Sequence, residues 1–374
     1  MYFDIKPKEK REDLFDREEE LNKLIKYINV GSRVIILTGF RRSGKTSLLK
    51  VGLNLLNKPY ILVDARGISI NPSLRDLYIL LESGINDLIN RSKHLVEKLL
   101  SSLSMVNGIS IHGLSVYFKW RGKNKLLLHQ LFDNLNYFAE MKIKDKVIIA
   151  FDEAQYLKGV IGKYLLSAIA HAYDYNENLI FIFTGSQVGL LHDFLGVDNP
   201  KSYLYGRHMS EIKLGNFSKN LSLEFLREGF KQINLEVPEE ILEYAYNCLD
   251  GIVGWLTEFG YRAYEAGNVS KEIVDQVVEI GAKLVREEFQ KFIEYRGEAR
   301  SRYEAILKAI AIGKNTWSQI KQYLEEIEGS HIPDISLKRL LDTLIKASYI
   351  EKQVDGRNIT YKITDPLLRE TYKI

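Results

Sequence analysis

The sequence predicts an α/β protein: a parallel sheet with helices on both faces, then an all-helical region and a winged helix-turn-helix end. Three observations carry this expectation. Four short apolar runs without alternation, separated by helical stretches, read as parallel strands buried on both faces. That pattern stops after about residue 214, and helical periodicity follows through residues 218–296. Near the C-terminus come three helical stretches and two β-rich ones around Asp355-Gly356, the order of a winged helix.

Length agrees with several domains, since 374 residues exceed the usual size of one. With 45% hydrophobic and 27% charged residues the composition is globular. The near balance of 52 Lys and Arg against 49 Asp and Glu excludes a polycation. A single cysteine, Cys248, excludes an internal disulfide framework and a Cys-rich zinc site, and fits a reducing, cytoplasmic interior. No apolar run is long enough to span a bilayer, and residues 1–13 lack a signal-peptide core, so no membrane is expected.

Taken in order, residues 16–28 put Leu21, Leu24, Ile25 and Ile28 at helical spacing, with Asp16 as N-cap and Glu19 as its capping-box partner. The strand runs are 33–38, 60–64, 147–151 and 179–184. An insertion at about 70–142 separates the second from the third. It holds an amphipathic helix through Leu77, Leu81, Ile85 and Leu88, a hairpin pivoting at His112-Gly113, and a helix over about 126–141. Residues 218–296 are helical, with breaks at Val237-Pro238 and from Asp250 to Gly254. Helices at 303–312, 316–326 and 336–347 and strands at 349–352 and 358–363 complete the chain. Three parts result: 1–214, 215–299 and 300–374.

The motif that carries chemistry is Gly39-Phe-Arg-Arg-Ser-Gly44-Lys45-Thr46, which fits G-x-x-x-x-G-K-[ST] directly after a strand and before a helix. The glycines let successive N–H groups curl inward around phosphate, and the helix adds its positive end. Lys45 then reaches the β- and γ-phosphates, and Thr46 offers its hydroxyl to Mg²⁺. Asp152-Glu153 closes an apolar strand at the carboxyl edge, where ligands bind in open α/β sheets. Asp152 is expected to hold Mg²⁺, and Glu153 to orient or deprotonate the attacking water. At the tip of the fourth run, Ser186 is the first choice and Thr184 the second for a residue sensing γ-phosphate, against an ordinary strand-to-loop turn. Arg207 reads either as an arginine finger or as a surface or ion-paired arginine. Arg41 and Arg42, inside the loop, either contact phosphate or face solvent. The seven histidines are dispersed, with no metal-ligand spacing.

Together these residues resemble the archaeal ATPase family of the STAND class, relatives of AAA+ P-loop ATPases. The resemblance is carried by Phe15-Asp-Arg17-Glu-Glu-Glu-Leu21, the phosphate loop, the run ending in Asp152-Glu-Ala-Gln155, Phe183-Thr-Gly-Ser-Gln187 and Leu204-Tyr-Gly-Arg207. It continues through Asp250-Gly-Ile-Val-Gly-Trp-Leu256 to Tyr361-Lys-Ile-Thr-Asp-Pro-Leu-Leu-Arg369. It implies an AAA+-like P-loop core binding ATP or ADP with Mg²⁺, Phe15 and Arg17 packing on the adenine side, and Gly39, Arg42, Ser43, Gly44, Lys45, Thr46 and Ser47 around the phosphates. The catalytic set is then Lys45, Glu153, Ser186 and Arg207, with Thr46 and Asp152 for the metal. The helical region becomes a lid that contacts the nucleotide through residues 250–256. The chain departs from its relatives there, with Gly254-Trp255 where Gly-x-Pro is common, so Trp255 is either a nucleotide contact or lid core.

Residues 300–374 hold 13 Lys and Arg against 10 Asp and Glu. Their third helix turns Leu337, Leu340, Leu341 and Leu344 inward and Lys338, Arg339, Asp342 and Lys346 outward. That is mildly basic, and leaves a DNA or a protein partner open. The leading expectation is a slow ATP-hydrolysing switch with a winged-helix effector. Its alternative is a DNA-binding protein of origin-recognition-like plan with a structural nucleotide. An arginine finger acting in trans would require a homo-oligomer.

Overall fold

The computed structural model describes residues 1–68, 72–294 and 296–373. Residues 70–71, at the expected start of the insertion, lie outside these. In chain order the elements begin α1 (Glu18–Asn29), β1 (Val34–Gly39), α2 (Lys45–Leu56), β2 (Tyr60–Asp64), α3 (Leu74–Arg91) and α4 (Val96–Leu103). A hairpin of β3 (Ile109–His112) and β4 (Ser115–Phe118) follows, then α5 (Leu128–Tyr137), β5 (Val147–Asp152), α6 (Val160–Tyr175), β6 (Leu179–Gly185), α7 (Val188–Leu195) and β7 (Ser210–Leu214).

The sheet is parallel, in the order β2-β5-β6-β1-β7. Every residue of β1, β5 and β6 is buried, because helices cover both faces. One face packs on α3, α5 and α6 through Leu77, Leu81, Phe132 and Leu165. The other packs on α1 and α2 through Leu24, Ile28, Leu48 and Leu49. The strand β7 escaped the sequence reading for a physical reason: on one of the sheet's two edges, its residues alternate buried and exposed, and it lacks the continuous apolar run that marks β2 on the other. Also absent from that reading are α4 and a short terminal helix over Pro366–Tyr372.

One expectation about α1 fails. Asp16 is not its N-cap; the cap position is Arg17, in the left-handed region at φ 70°, with no side-chain cap bond. Three glutamates in the first turn complement the helix dipole instead, an effect of roughly 0.3–1 kcal/mol each.

Beyond the sheet come α8 (Lys219–Gln232), α9 (Glu239–Leu249), α10 (Val253–Ala266) and α11 (Lys271–Ile293). Then α12 (Ala299–Ala311), α13 (Trp317–Glu328), α14 (Asp334–Lys346), the antiparallel wing of β8 (Ile350–Asp355) and β9 (Asn358–Ile363), and α15 (Pro366–Tyr372) complete a winged helix. A single apolar core runs through all of them, from Phe217 to Tyr372. Phe3 is fully buried in it, edge-on to Phe225 and Phe230. The winged helix also rests on the sheet's periphery: Lys346 pairs with Asp193 on α7 at 2.8 Å, and the Val188 N–H donates to Ser348 Oγ.

Candidate active site

All the chemistry-bearing groups but one gather at the carboxyl edge of the sheet. The chain leaves β1 at Gly39, passes Arg42 at φ 62°, and enters α2 from Gly44 at φ 92°, a backbone that glycine adopts without strain. The first N–H groups of α2 have no partner within the helix, so the loop presents donors to an anion. Ser43 Oγ is buried there, with no hydrogen-bond partner among the described residues. Lys45 is buried, and its ammonium donates to the Phe40 carbonyl at 2.8 Å. Burial pushes its pKa down, against the opposing charges of Glu153 and Asp152.

The acids stand directly across. Thr46 Oγ1 donates to Asp152 Oδ2 at 2.9 Å, and Thr184 Oγ1 donates to the other oxygen, Oδ1. Burial raises the Asp152 pKa despite these two hydroxyls, with Glu153 adding to the rise. Glu153 sits in the left-handed region at φ 53°, a strain on the order of 1–3 kcal/mol that such sites retain. Its Oε2 accepts from Ser186 Oγ (2.6 Å), Ser186 N–H (3.0 Å) and Gln155 Nε2 (2.5 Å). Burial favours protonation, yet Lys45 and these donors outweigh it and hold the pKa below the ordinary glutamate range. Ser186 and Thr184, expected at the γ-phosphate, therefore each fasten one of the two acids.

A cleft of about 410 Å³ opens in front of this cluster. Its phosphate end is formed by Ser43, Gly44, Lys45, Thr46 and Ser47, and its far end by Tyr2, Phe15, Phe217 and Phe225. Phe15 lies edge-on to Tyr2, Phe217 and Phe225, an apolar wall suited to a flat ring. Arg17 is buried beside it. Its guanidinium is taken by Glu20 (2.9 Å) and the Gly215 carbonyl (2.6 Å) and lies over Phe217, so it braces the wall. Sequence reasoning missed one side of the cleft, where residues 4–8 run along it and the Lys8 N–H donates to Ser47 Oγ at 3.0 Å. No periodicity marks so irregular a segment.

The two loop arginines neither face solvent nor reach into the cleft together. Arg41 and Arg42 both bind Glu288 of α11, at 2.7 and 2.8 Å. Arg42 stacks on Trp255 at 4.2 Å, and its carbonyl accepts from the Gly254 N–H at 3.0 Å. A Cβ on Gly254 would lie 2.6 Å from that of Arg42, so only glycine permits this approach. Trp255 is buried, lines the cleft, and donates from Nε1 to Asp365 at 3.2 Å. The Arg41 guanidinium lies over the Tyr349 ring at 5.7 Å. Glu288, Tyr349 and Asp365 carry no local sequence signal for these contacts; only the tertiary fold brings them to the loop.

Arg207 is the exception. It precedes β7, whose Ser210 aligns with Ile35 and whose Leu214 aligns with Gly39, so it lies at the opposite, amino edge of the sheet. There it pairs with Asp174 at 2.6 Å and donates to the Tyr203 carbonyl. The structure does not bring it to the phosphate loop of its own chain, and the ion-pair alternative describes its place.

Among the described residues no cluster of three or more His, Cys, Asp or Glu could hold a metal by itself. The oxygen pair of Thr46 and Asp152 does suit Mg²⁺, which keeps most of its shell as water and phosphate oxygens. No helix among the described residues is long and apolar enough to cross a membrane.

Comparison with known proteins bears on the family and the fold. Residues 14–259 match the model of an ATPase domain predominantly from Archaea. Residues 297–364 match the C-terminal winged helix-turn-helix domain of MCM proteins. The structure of a Walker-type ATPase of Pyrococcus abyssi is 38% identical, covers 100% of both chains and superposes with a TM-score of 0.82. An uncharacterised protein of Methanocaldococcus jannaschii is 27% identical over 214 residues, 56% of this chain and 43% of that relative's length.

Proposed function

This chain belongs to the family of ATPase domains found predominantly in Archaea, and on that basis we propose that it is a STAND-type switch that binds ATP with Mg²⁺ and hydrolyses it slowly. Residues 1–214 act as the ATPase core, 215–299 as its lid and 300–374 as the winged-helix effector. Thr46 and Asp152 hold the metal, which supplies charge neutralisation at the phosphates. The buried Lys45 cation turns from the Phe40 carbonyl to phosphate. Glu153 stays ionised, its Oε2 fixed by Ser186 and Gln155, so Oε1 is left to accept a proton from water. The aromatic wall around Phe15 takes the base.

The observation that carries the switch is the wiring of the loop. Glu288 supplies a carboxylate to the two arginines that sit inside a phosphate-binding loop, and Trp255 joins that loop to Asp365 of the winged helix. A bound nucleotide brings negative charge that competes with Glu288, so lid and winged helix respond to occupancy. Turnover tests the hydrolytic half: Glu153→Gln should lose at least roughly 10²-fold in kcat while still binding ATP. Equal turnover in wild type, Glu153→Gln and Lys45→Ala would refute hydrolysis.

A second reading takes duplex DNA as the partner, in an origin-recognition-like plan. It rests on Lys338 and Arg339, which are exposed on α14. It predicts salt-dependent duplex binding that weakens in the Lys338→Ala/Arg339→Ala variant; no binding at low salt would remove it.

A further inference from the structure

If Arg207 is turned away, the cleft needs another cation for the charge that develops on the terminal phosphate, and the structure holds one that no motif announced. Arg66 lies two residues beyond the end of β2. That strand pairs with β5 in a register that sets Asp64 directly beside Asp152. The chain then makes one tight turn, capped by the Asp64 carboxylate accepting from the Arg66 N–H at 3.0 Å. The same carboxylate accepts from Arg66 Nε at 2.9 Å and Nη2 at 2.6 Å, a two-point grip that fixes the guanidinium plane.

The grip delivers the charge to one place. Arg66 Nη2 lies 3.8 Å from Asp152 Oδ2, the oxygen that also accepts from Thr46 Oγ1. Arg66 lines the cleft with Lys45, Thr46 and Glu153. Its Nη1 makes no hydrogen bond among the described residues, and the side chain keeps 53% of its surface exposed. The guanidinium is thus held on one edge and open on the other, as a group awaiting an anion is. Its partner Asp64 keeps it firmly cationic, and its own charge helps hold Asp64 below the ordinary aspartate range.

We propose that Arg66, supplied by the same chain, contacts the terminal phosphate of bound ATP and stabilises the charge that builds there during hydrolysis. No partner subunit is needed for this arginine, and the requirement for assembly that Arg207 would have imposed falls away. Asp64 is its positioning residue. The proposal rests on the ATP reading above, so its test must separate the two.

Purified full-length wild type, Arg66→Ala, Arg66→Lys and Arg207→Ala are compared for ATP and ADP affinity by calorimetry, with and without Mg²⁺, and for turnover. Arg66→Ala should lose roughly 10²-fold or more in kcat. Its ATP affinity should fall about 10-fold, with ADP affinity within about twofold of wild type. Arg66→Lys should recover ATP affinity in part but little turnover, because an ammonium cannot reproduce the fork. Arg207→Ala should match wild type. Equal losses for ATP and ADP in Arg66→Ala would show a role in building the site and overturn the proposal. So would unchanged ATP affinity and turnover. Wild type that fails to bind ATP would instead refute the underlying reading. Thermal melting verifies folding, and half exposure of Arg66 predicts little change.

Discussion

The phosphate loop has two sides, built from opposite materials. On the cleft side, a lysine and a threonine of the loop meet two acids, Asp152 and Glu153, that end a fully buried strand. On the far side, two arginines of the loop meet one acid, Glu288, amid the rings of Trp255 and Tyr349. The first cluster is rigid. Its members sit at the ends of adjacent strands β1, β5 and β6, pinned by the Thr184 and Ser186 hydroxyls. The second is assembled from α10, α11 and the winged helix, elements that share a core with each other and not with the sheet. Chemistry that must not move is placed on strand ends, whereas contacts suited to movement are made across a boundary between cores.

The comparison can be broken in order of expected effect. The largest is on the cleft side: Lys45→Ala removes the one buried cation of the loop and should weaken ATP binding by roughly 10²-fold, read by calorimetry. If affinity survives, the cleft is not the nucleotide site. Glu288→Gln acts on the other side. It keeps the shape but removes the charge facing Arg41 and Arg42, a pair in which burial opposes ionisation of Glu288 and the arginines outweigh it. The expected cost is roughly 1–3 kcal/mol of stability. Nucleotide affinity should persist, while hydrogen exchange in α11 and α14 ceases to depend on nucleotide; persistence of that dependence would remove Glu288 from the coupling.

The smallest effect concerns Asp152. Its pKa is raised by burial, so the folded state holds its proton more tightly than the unfolded chain and pays for ionisation at neutral pH. Asp152→Asn should therefore raise the melting temperature modestly near neutrality. The gain should shrink as pH falls through the raised pKa, where the native carboxyl is protonated anyway. A variant less stable than wild type at neutral pH would show that the Thr46 and Thr184 hydrogen bonds outweigh desolvation.

What the sequence disclosed follows the same division. The strand cores were legible because residues such as Ile148, Ile149 and Ala150 are buried on both faces and cannot be polar. Lys45, Thr46, Asp152 and Glu153 were legible because a phosphate loop and a strand end fix their spacing locally. Thr184 and Ser186 were found at the right strand tip, but whether they face phosphate or the acids depends on rotamers that spacing does not encode. The cap of α1 was misread because Asp16 and Arg17 both adopt positive φ. Glu288 was invisible: it lies 247 residues from Arg41, on a helix whose periodicity reports only its buried stripe. Arg66 sat in plain view, yet an arginine after a strand is common; its meaning comes from the register that sets Asp64 beside Asp152.

The burial of Phe3 has a consequence for the order in which the molecule is made. Tyr2 donates its N–H to Gln232, 230 residues along the chain, and Phe3 is enclosed by helices of that same late region. During vectorial synthesis residues 2–8 leave the ribosome long before their neighbours exist. The sheet and phosphate loop can form early, but the wall that residues 4–8 contribute to the cleft can settle only after α8 and α10 are complete. A nascent chain would thus expose a formed phosphate loop with an unfinished pocket, and high-affinity nucleotide capture would be deferred until its helical half has emerged.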